Sequence, residues 1–363
     1  MVWPSIRFKA IQGPMDRKAL DSALQAHERF LQQSVKGKRA SLVRCDLSNA
    51  NLGDRNLAEA DLTGATLYGA NLKFTNLERA HLYCADLSNV DGRHANFSRA
   101  DMRGAILKNS NFSFAKLDFA DFRAARLAEM SALGKFEIVD RSTAADCVDF
   151  SYCSLRGASF DHANLKGANF TGAYIHGTTF RGARVTDASF EKAVLVDVDL
   201  NDLGLSPAAL RSCIRSPSPA AVAKVPHLLA RLEAHQRWIS SDAHLGSSAV
   251  MDGEDLRPLE TGIGKFQLTA ISARNAVVVG MNLSGAQLQG ADFSGADLRD
   301  VNFEGADLRG INFRDANLAH ARFESADLTS LRLNSGGARA CDFTGARYSP
   351  KQLADALLEA APA

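Results

Sequence analysis

The sequence predicts an all-β solenoid with α-helical caps: two square, parallel β-helices joined by a linker. Three observations predict it. A large apolar residue recurs every fifth position, a finer alternation repeats every twenty, and a helix-then-repeat pattern occurs twice. The first is plainest in "NFEGADLRGINFRDANLAHARFESADL" (302–328), where Phe303, Leu308, Phe313, Leu318, Phe323 and Leu328 are evenly spaced. A straight helix repeats every 3.6 residues and a strand every two, so neither keeps such residues on one face. A chain that turns a corner after each unit does, and every large residue (the centre of its unit) then points to one axis.

Three runs of centres follow: Leu42 to Leu127 with a gap at Gly92, Phe150 to Leu200, and Leu283 to Leu333 followed by Phe343. In the second run Phe150, Phe160, Phe170, Phe180 and Phe190 alternate with Leu, Ile or Val. An even number of faces per coil sets like above like. The residue before the centre narrows the number. Asn51, Asn56, Asn71, Asn76, Asn96 and Asn111 share two adjacent faces of a twenty-residue turn, while Asp46, Asp61, Asp86, Asp101 and Asp121 share the other two. Four units per coil satisfy both patterns, with coils stacked at the ~4.8 Å interstrand distance.

"GADLRGINF" and "EADLTGATLYGANL" resemble the pentapeptide-repeat family, whose consensus is A-[DN]-L-x-x. The resemblance implies two right-handed quadrilateral parallel β-helices, with the centre and the small residue two before it pointing inward. It also implies that burial of the stacked centres, at about 25 cal/mol per Å2, supplies most of the stability.

Departures from the period mark the expected irregularities. Gly92 leaves a gap in the core unless a neighbour fills it. After Leu127 the phase breaks, and Phe150 follows at the distance of one coil plus three residues. Residues 128–147 are therefore expected as a distorted coil or a projecting loop inside one solenoid.

The non-repeat segments set the ends. "LQAHERFL" and "LEAHQRWI" match at Leu24/Leu232, Ala26/Ala234, His27/His235 and Arg29/Arg237, and His27 to Leu42 spans the same distance as His235 to Val250. "LSPAALRSCI" and "YSPKQLADALLEAA" end the two copies, and Ser-Pro marks a helix N-terminus with Pro at its first position. The expected organisation is an N-terminal capping helix segment (1–40), a first solenoid (41–204), a capping helix and Pro-rich linker (205–226), a second capping segment (227–248), a second solenoid (249–348) and a C-terminal capping helix (349–363). Caps cover the exposed edges that would otherwise aggregate. His27 and His235 read as cap histidines satisfied by hydrogen bonds.

Chemistry-bearing motifs are missing. "GIGKF" (262–266) lacks the spacing of a phosphate loop and reads as a turn, and neither HExxH nor a nucleophile elbow occurs. No catalytic, cofactor-binding or metal-binding residue is assigned. Cys45, Cys153 and Cys341 fall where the repeat places Ala and are expected as small buried residues; all six cysteines are expected as free thiols. The N-terminal stretch lacks the apolar core of a secretory signal, and no run approaches a membrane span, which points to the cytosol.

Surfaces remain. Stacking predicts outward columns: Asp54, Phe74, His94, Phe114; Glu59, Arg79, Arg99, Phe119; Thr63, Tyr83, Arg103, Arg123. Aromatic residues rimmed by arginine read as a protein-contact face. Two functions compete. The first is a non-enzymatic protein–protein interaction scaffold with an unknown protein partner, or with a second copy as a homodimer. The alternative, implied by the resemblance, is a DNA mimic that binds a type II topoisomerase (gyrase) as quinolone-resistance members of the family do. That role needs an acidic surface, yet residues 41–127 hold 11 basic against 10 acidic residues, 278–348 hold 7 against 9, and the whole chain has a net charge of +1. Direct nucleic-acid binding is not expected either.

Overall fold

The structure is a computed structural model that describes residues 15–130, 136–333 and 336–358. The chain forms two compact units, Met1–Ile214 and Arg215–Ala363.

In the first unit, single parallel bridges join residues twenty apart: Asp61 to His81 to Asp101 to Asp121 on one side, Asn56 to Asn76 to Asn96 on another. Each bridge uses two backbone hydrogen bonds, as where Leu62 N–H donates to the His81 carbonyl and His81 N–H to that of Ala60. Two turn residues separate successive bridges, and the second takes a left-handed φ, as at Arg79 (56°) and Gly104 (65°). Four such sides close one coil. Leu62, Leu82, Met102 and Phe122 form one buried pile, with Ala60, Ala80, Ala100 and Ala120 beside it.

The Phe alternation has the expected geometry. Phe150 stacks on Phe170 at 5.1 Å between ring centroids and Phe160 on Phe180 at 5.4 Å, while Phe150 and Phe160 meet edge to face at 70°. Both arrangements suit the ring quadrupole. The Asn or Asp before each centre closes the following turn: Asn96 Oδ1 and Asp121 Oδ1 each accept the N–H two residues on, at 3.0 Å. This local bond explains why those two residue types recur there.

Gly92 leaves no gap, because the Phe112 ring of the next coil leans into its place; a Cβ there would lie 2.6 Å from that ring. Of the two alternatives expected for 128–147, the extra residues follow the projecting one and not the distorted coil. The spacing of bridged residues jumps from 20 to 38, as between Asp121 and Ser159. The extra residues leave the corner after Ala124 as an antiparallel hairpin, β1 (Ala125–Met130) and β2 (Phe136–Arg141). Leu127, which the period counts as a centre, pairs with Val139 in that hairpin, and Ala145 is the first buried centre beyond it.

At the start of this unit, α1 (Arg17–Leu31) buries Leu24 and His27, and Met15 N–H donates to the Asp46 carbonyl of the first coil. At its end, β3 (Tyr174–His176) and β4 (Val194–Val196) pair in parallel, followed by α2 (Leu200–Leu203) and α3 (Pro207–Ser212). Ser206 caps α3 with Pro207 in its first turn, as the sequence predicts. β5 (Ile214–Arg215) then rejoins the coil through Ile214 N–H and the Ala193 carbonyl.

The second unit corrects several expectations. The segment read as a Pro-rich linker is largely helical: α4 (Pro219–Ala223), capped by Ser218, and the start of α5 (Val225–Ser240). Ser218-Pro219 repeats the start signal of Ser206-Pro207. Val250 is an exposed bridging residue paired with Ser272, and Met251 is the buried centre equivalent to Leu42, so the second copy has one residue more before its first coil. A short turn of helix, α6 (Glu260–Ile263), precedes the rest of the predicted turn, where Phe266 N–H returns to the Ile263 carbonyl.

Further on, Asn312 pairs with Asp342 because a hairpin, β6 (Leu331–Arg332) and β7 (Ala338–Arg339), interrupts the coil. Leu333, counted as a centre by period, is 43% exposed, and Phe343 takes the place above Phe313 at 5.3 Å. Phe293 and Phe313 are neighbours one coil apart, with ring centroids 6.3 Å apart and planes tilted by 36°. In place of an α-helix over 349–363, Pro350–Leu353 form one 3-10 turn and Leu357 pairs with Asp327 as a further piece of coil; 359–363 lie outside the described residues.

All six cysteines are free thiols. Cys153 is buried and its Sγ donates to the Phe112 carbonyl at 2.8 Å, whereas Cys45 and Cys341 are only partly buried. Among the described residues no helix is long and apolar enough to cross a membrane. The N-terminal stretch read for a secretory signal lies outside them.

Candidate protein-contact face

The eight residues singled out by sequence sit at three successive corners of the first unit. Phe74, His94 and Phe114 share one corner, each in the left-handed turn position, with φ of 56°, 58° and 59°. Their rings stack: Phe74 on His94 at 4.8 Å and 6° between planes, His94 on Phe114 at 5.1 Å and 22°. The column continues to Tyr152, 5.0 Å from Phe114. Sequence reasoning missed Tyr152 because a step of twenty from Phe114 lands on Gly134, inside the insertion. A left-handed φ costs a bulky residue roughly 1–2 kcal/mol, and each stacked pair returns about 0.5–1.5 kcal/mol.

The column ends on Gly172, where a Cβ would lie 2.5 Å from the Tyr152 ring. The same relation recurs one corner over, with the Phe119 ring lying against Gly157. A ring at this left-handed corner position thus lies along the axis, against either another ring or a glycine.

Stacking hides ring faces and leaves edges outside. Phe74, His94, Phe114 and Tyr152 are half-buried, while Phe119 is 58% exposed. Arg99 holds its guanidinium 5.7 Å over the Phe119 ring. At the third corner Arg103 lies 5.4 Å over Tyr83 and pairs with Asp101 at 2.7 Å, so its charge is already engaged. Arg79 reaches only 4.0 Å from Glu78. His94 Nδ1 is buried without a hydrogen-bond partner, and burial, then the nearby Arg93, lowers its pKa. A hydrogen bond from Arg93 brings the Asp91 carboxyl down to about 2.

The two matched histidines have the same setting in each unit. Ala40 N–H donates to His27 Nδ1 and Ala249 N–H to His235 Nδ1, both at 3.1 Å. Their rings stack on Phe30 at 5.8 Å and on Trp238 at 5.6 Å. Burial lowers both pKa values, and Nε2 of each ring is buried without a hydrogen-bond partner, so the expectation of fully satisfied cap histidines holds for Nδ1 alone. Among the described residues no group of three His, Cys, Asp or Glu side chains could hold a metal ion.

The profile described as pentapeptide repeats matches residues 40–73, 70–109, 146–182, 267–305 and 296–334, in eight copies. No curated protein matches the chain at a significant level. Among solved structures it is similar to HetL, a pentapeptide repeat protein involved in heterocyst differentiation regulation in the cyanobacterium Nostoc sp. strain PCC 7120, at 20% identity over 86% of this chain and 98% of that one, with a TM-score of 0.24. It is similar to a pentapeptide repeat protein of the Arabidopsis thaliana thylakoid lumen at 24% identity, over 37% of this chain and 66% of the other, TM-score 0.23. It is also similar to QnrB1, a plasmid-mediated fluoroquinolone resistance protein, at 14% identity over 85% and 86% of the two chains, TM-score 0.16.

Proposed function

Because the chain belongs to the pentapeptide-repeat family, we propose that it is a non-enzymatic protein–protein interaction scaffold built of two repeat rods. The observation that supports this most is the aromatic column at one corner of the first unit, beside the exposed Phe119 and Arg99. Aromatic and arginine side chains dominate the centres of protein interfaces. A rigid coil presents them already ordered, which lowers the entropy cost of binding. In this reading Phe74, His94, Phe114, Phe119, Tyr83, Arg79, Arg99 and Arg103 lie on or beside the contact face, and α1 and α5 act as caps that close the first coil of each rod.

The test is affinity purification with wild type beside a Phe74→Ser/Phe114→Ser variant. The scaffold reading expects a specific partner, or self-association, that the variant loses. Retention of the same partners and oligomeric state by the variant contradicts the assignment of the face.

A further inference from the structure

We infer that one side of the first solenoid, between the Phe74–Tyr152 corner and the Arg79–Phe119 corner, binds an acidic segment of a partner protein. This rests on the scaffold reading and names the chemistry of what is bound.

The charge on that side is uneven. Over four coils it and its Arg79–Phe119 corner hold four basic residues, Arg79, Arg99, Lys116 and Arg156, against Glu78 and Asp118. Asp118 is buried and spent: it accepts the Ser154 hydroxyl at 2.5 Å and the Arg156 N–H at 3.2 Å. Arg99 and Lys116 are exposed, and neither makes an ion pair among the described residues. This excess stands on a chain whose net charge is only +1. Carboxylates are the groups that gain most from such cations, through charge-assisted hydrogen bonds. The edges of the stacked rings add to the preference, since the rim of an aromatic ring is the positive end of its quadrupole. Phe119 gives the same segment an apolar foothold next to the Arg99 guanidinium.

A nucleic acid is the other polyanion to weigh. Single strands are held by bases stacked on open aromatic faces. Here rings 4.8–5.1 Å apart cover one another's faces, which leaves the bases of a single strand no run of open rings to stack on and favours a peptide.

Fluorescence anisotropy with the full-length chain tests this, using a labelled short peptide of alternating Glu and Phe, its Lys-for-Glu counterpart, and oligothymidylate. The acidic peptide should bind saturably and more weakly as salt rises. Arg99→Gln/Lys116→Gln should weaken it about tenfold, the size expected when two exposed charge contacts are lost, with an unchanged melting temperature, and Phe119→Ser should also weaken it. The inference is overturned if the acidic peptide does not bind, if the double variant binds it equally, or if oligothymidylate or the Lys peptide binds as tightly. If the acidic peptide fails while wild type still holds a partner that Phe74→Ser/Phe114→Ser loses, the scaffold reading stands and this inference alone falls.

Discussion

A corner residue in this fold is constrained by the corner one coil above it. Tyr152 lies under Phe114 and against Gly172, whose φ is +67°. Gly172→Ala should cost about 1–3 kcal/mol, from the left-handed backbone and the displaced ring together. In a Tyr152→Ala background only the backbone part remains, so the measured cost in denaturant unfolding should shrink; equal costs in both backgrounds mean the ring does not occupy that space. The buried histidines set a second residue-scale expectation. Both His27 and His235 have pKa values lowered from the ordinary 6.5. The folded state then binds fewer protons than the unfolded one below that pH, so their contribution is complete above about 6.5 and is lost as pH falls through the lowered values. Unfolding midpoints should drop on acidification below 6.5, and His27→Gln/His235→Gln should flatten that drop. A variant as pH-dependent as wild type excludes these histidines as its source. Both were legible in sequence as a matched pair, but their partners, Ala40 and Ala249, were not, since nothing in the local pattern marks a backbone donor thirteen or fourteen residues away.

At the scale of elements, the regular coils were legible because one side chain in five must be large and inward, and the residue before it must close a turn. The insertions were not. Period alone counted Leu127 and Leu333 as centres, since a hairpin can hold a residue of the right type at the right interval without pointing it inward. The same error hid Tyr152 from the aromatic column. Ser218-Pro219 was read as linker punctuation although the identical signal at Ser206-Pro207 was read as a helix start, and both cap helices. An insertion that only bulges from a corner should be dispensable. Deleting residues 125–142 restores the twenty-residue spacing between Asp121 and Ser159, and the shortened protein should keep its circular dichroism spectrum and a cooperative melt. An aggregated or unfolded product contradicts the continuity of the coil through that corner.

For the whole molecule, charge decides between readings that share an architecture. A coil that holds the Arg99 guanidinium over an exposed Phe119 is a poor copy of a polyphosphate surface, so the chain should leave gyrase supercoiling unprotected against ciprofloxacin; protection would reverse the ranking of the two functions. Little of this side's electrostatics could be read from sequence beyond its columns, because which cations are already paired depends on the next coil as well as on their own, as Arg103 between Asp101 and Asp121 illustrates. The most direct measurement places a photo-reactive benzoyl-phenylalanine at position 119, or at position 108 on the opposite side of the same coils, and irradiates the protein with its captured partner or with itself. Adducts from 119 and none from 108 are the predicted result. Adducts from 108 alone, or equally from both, contradict the assignment of the contact face.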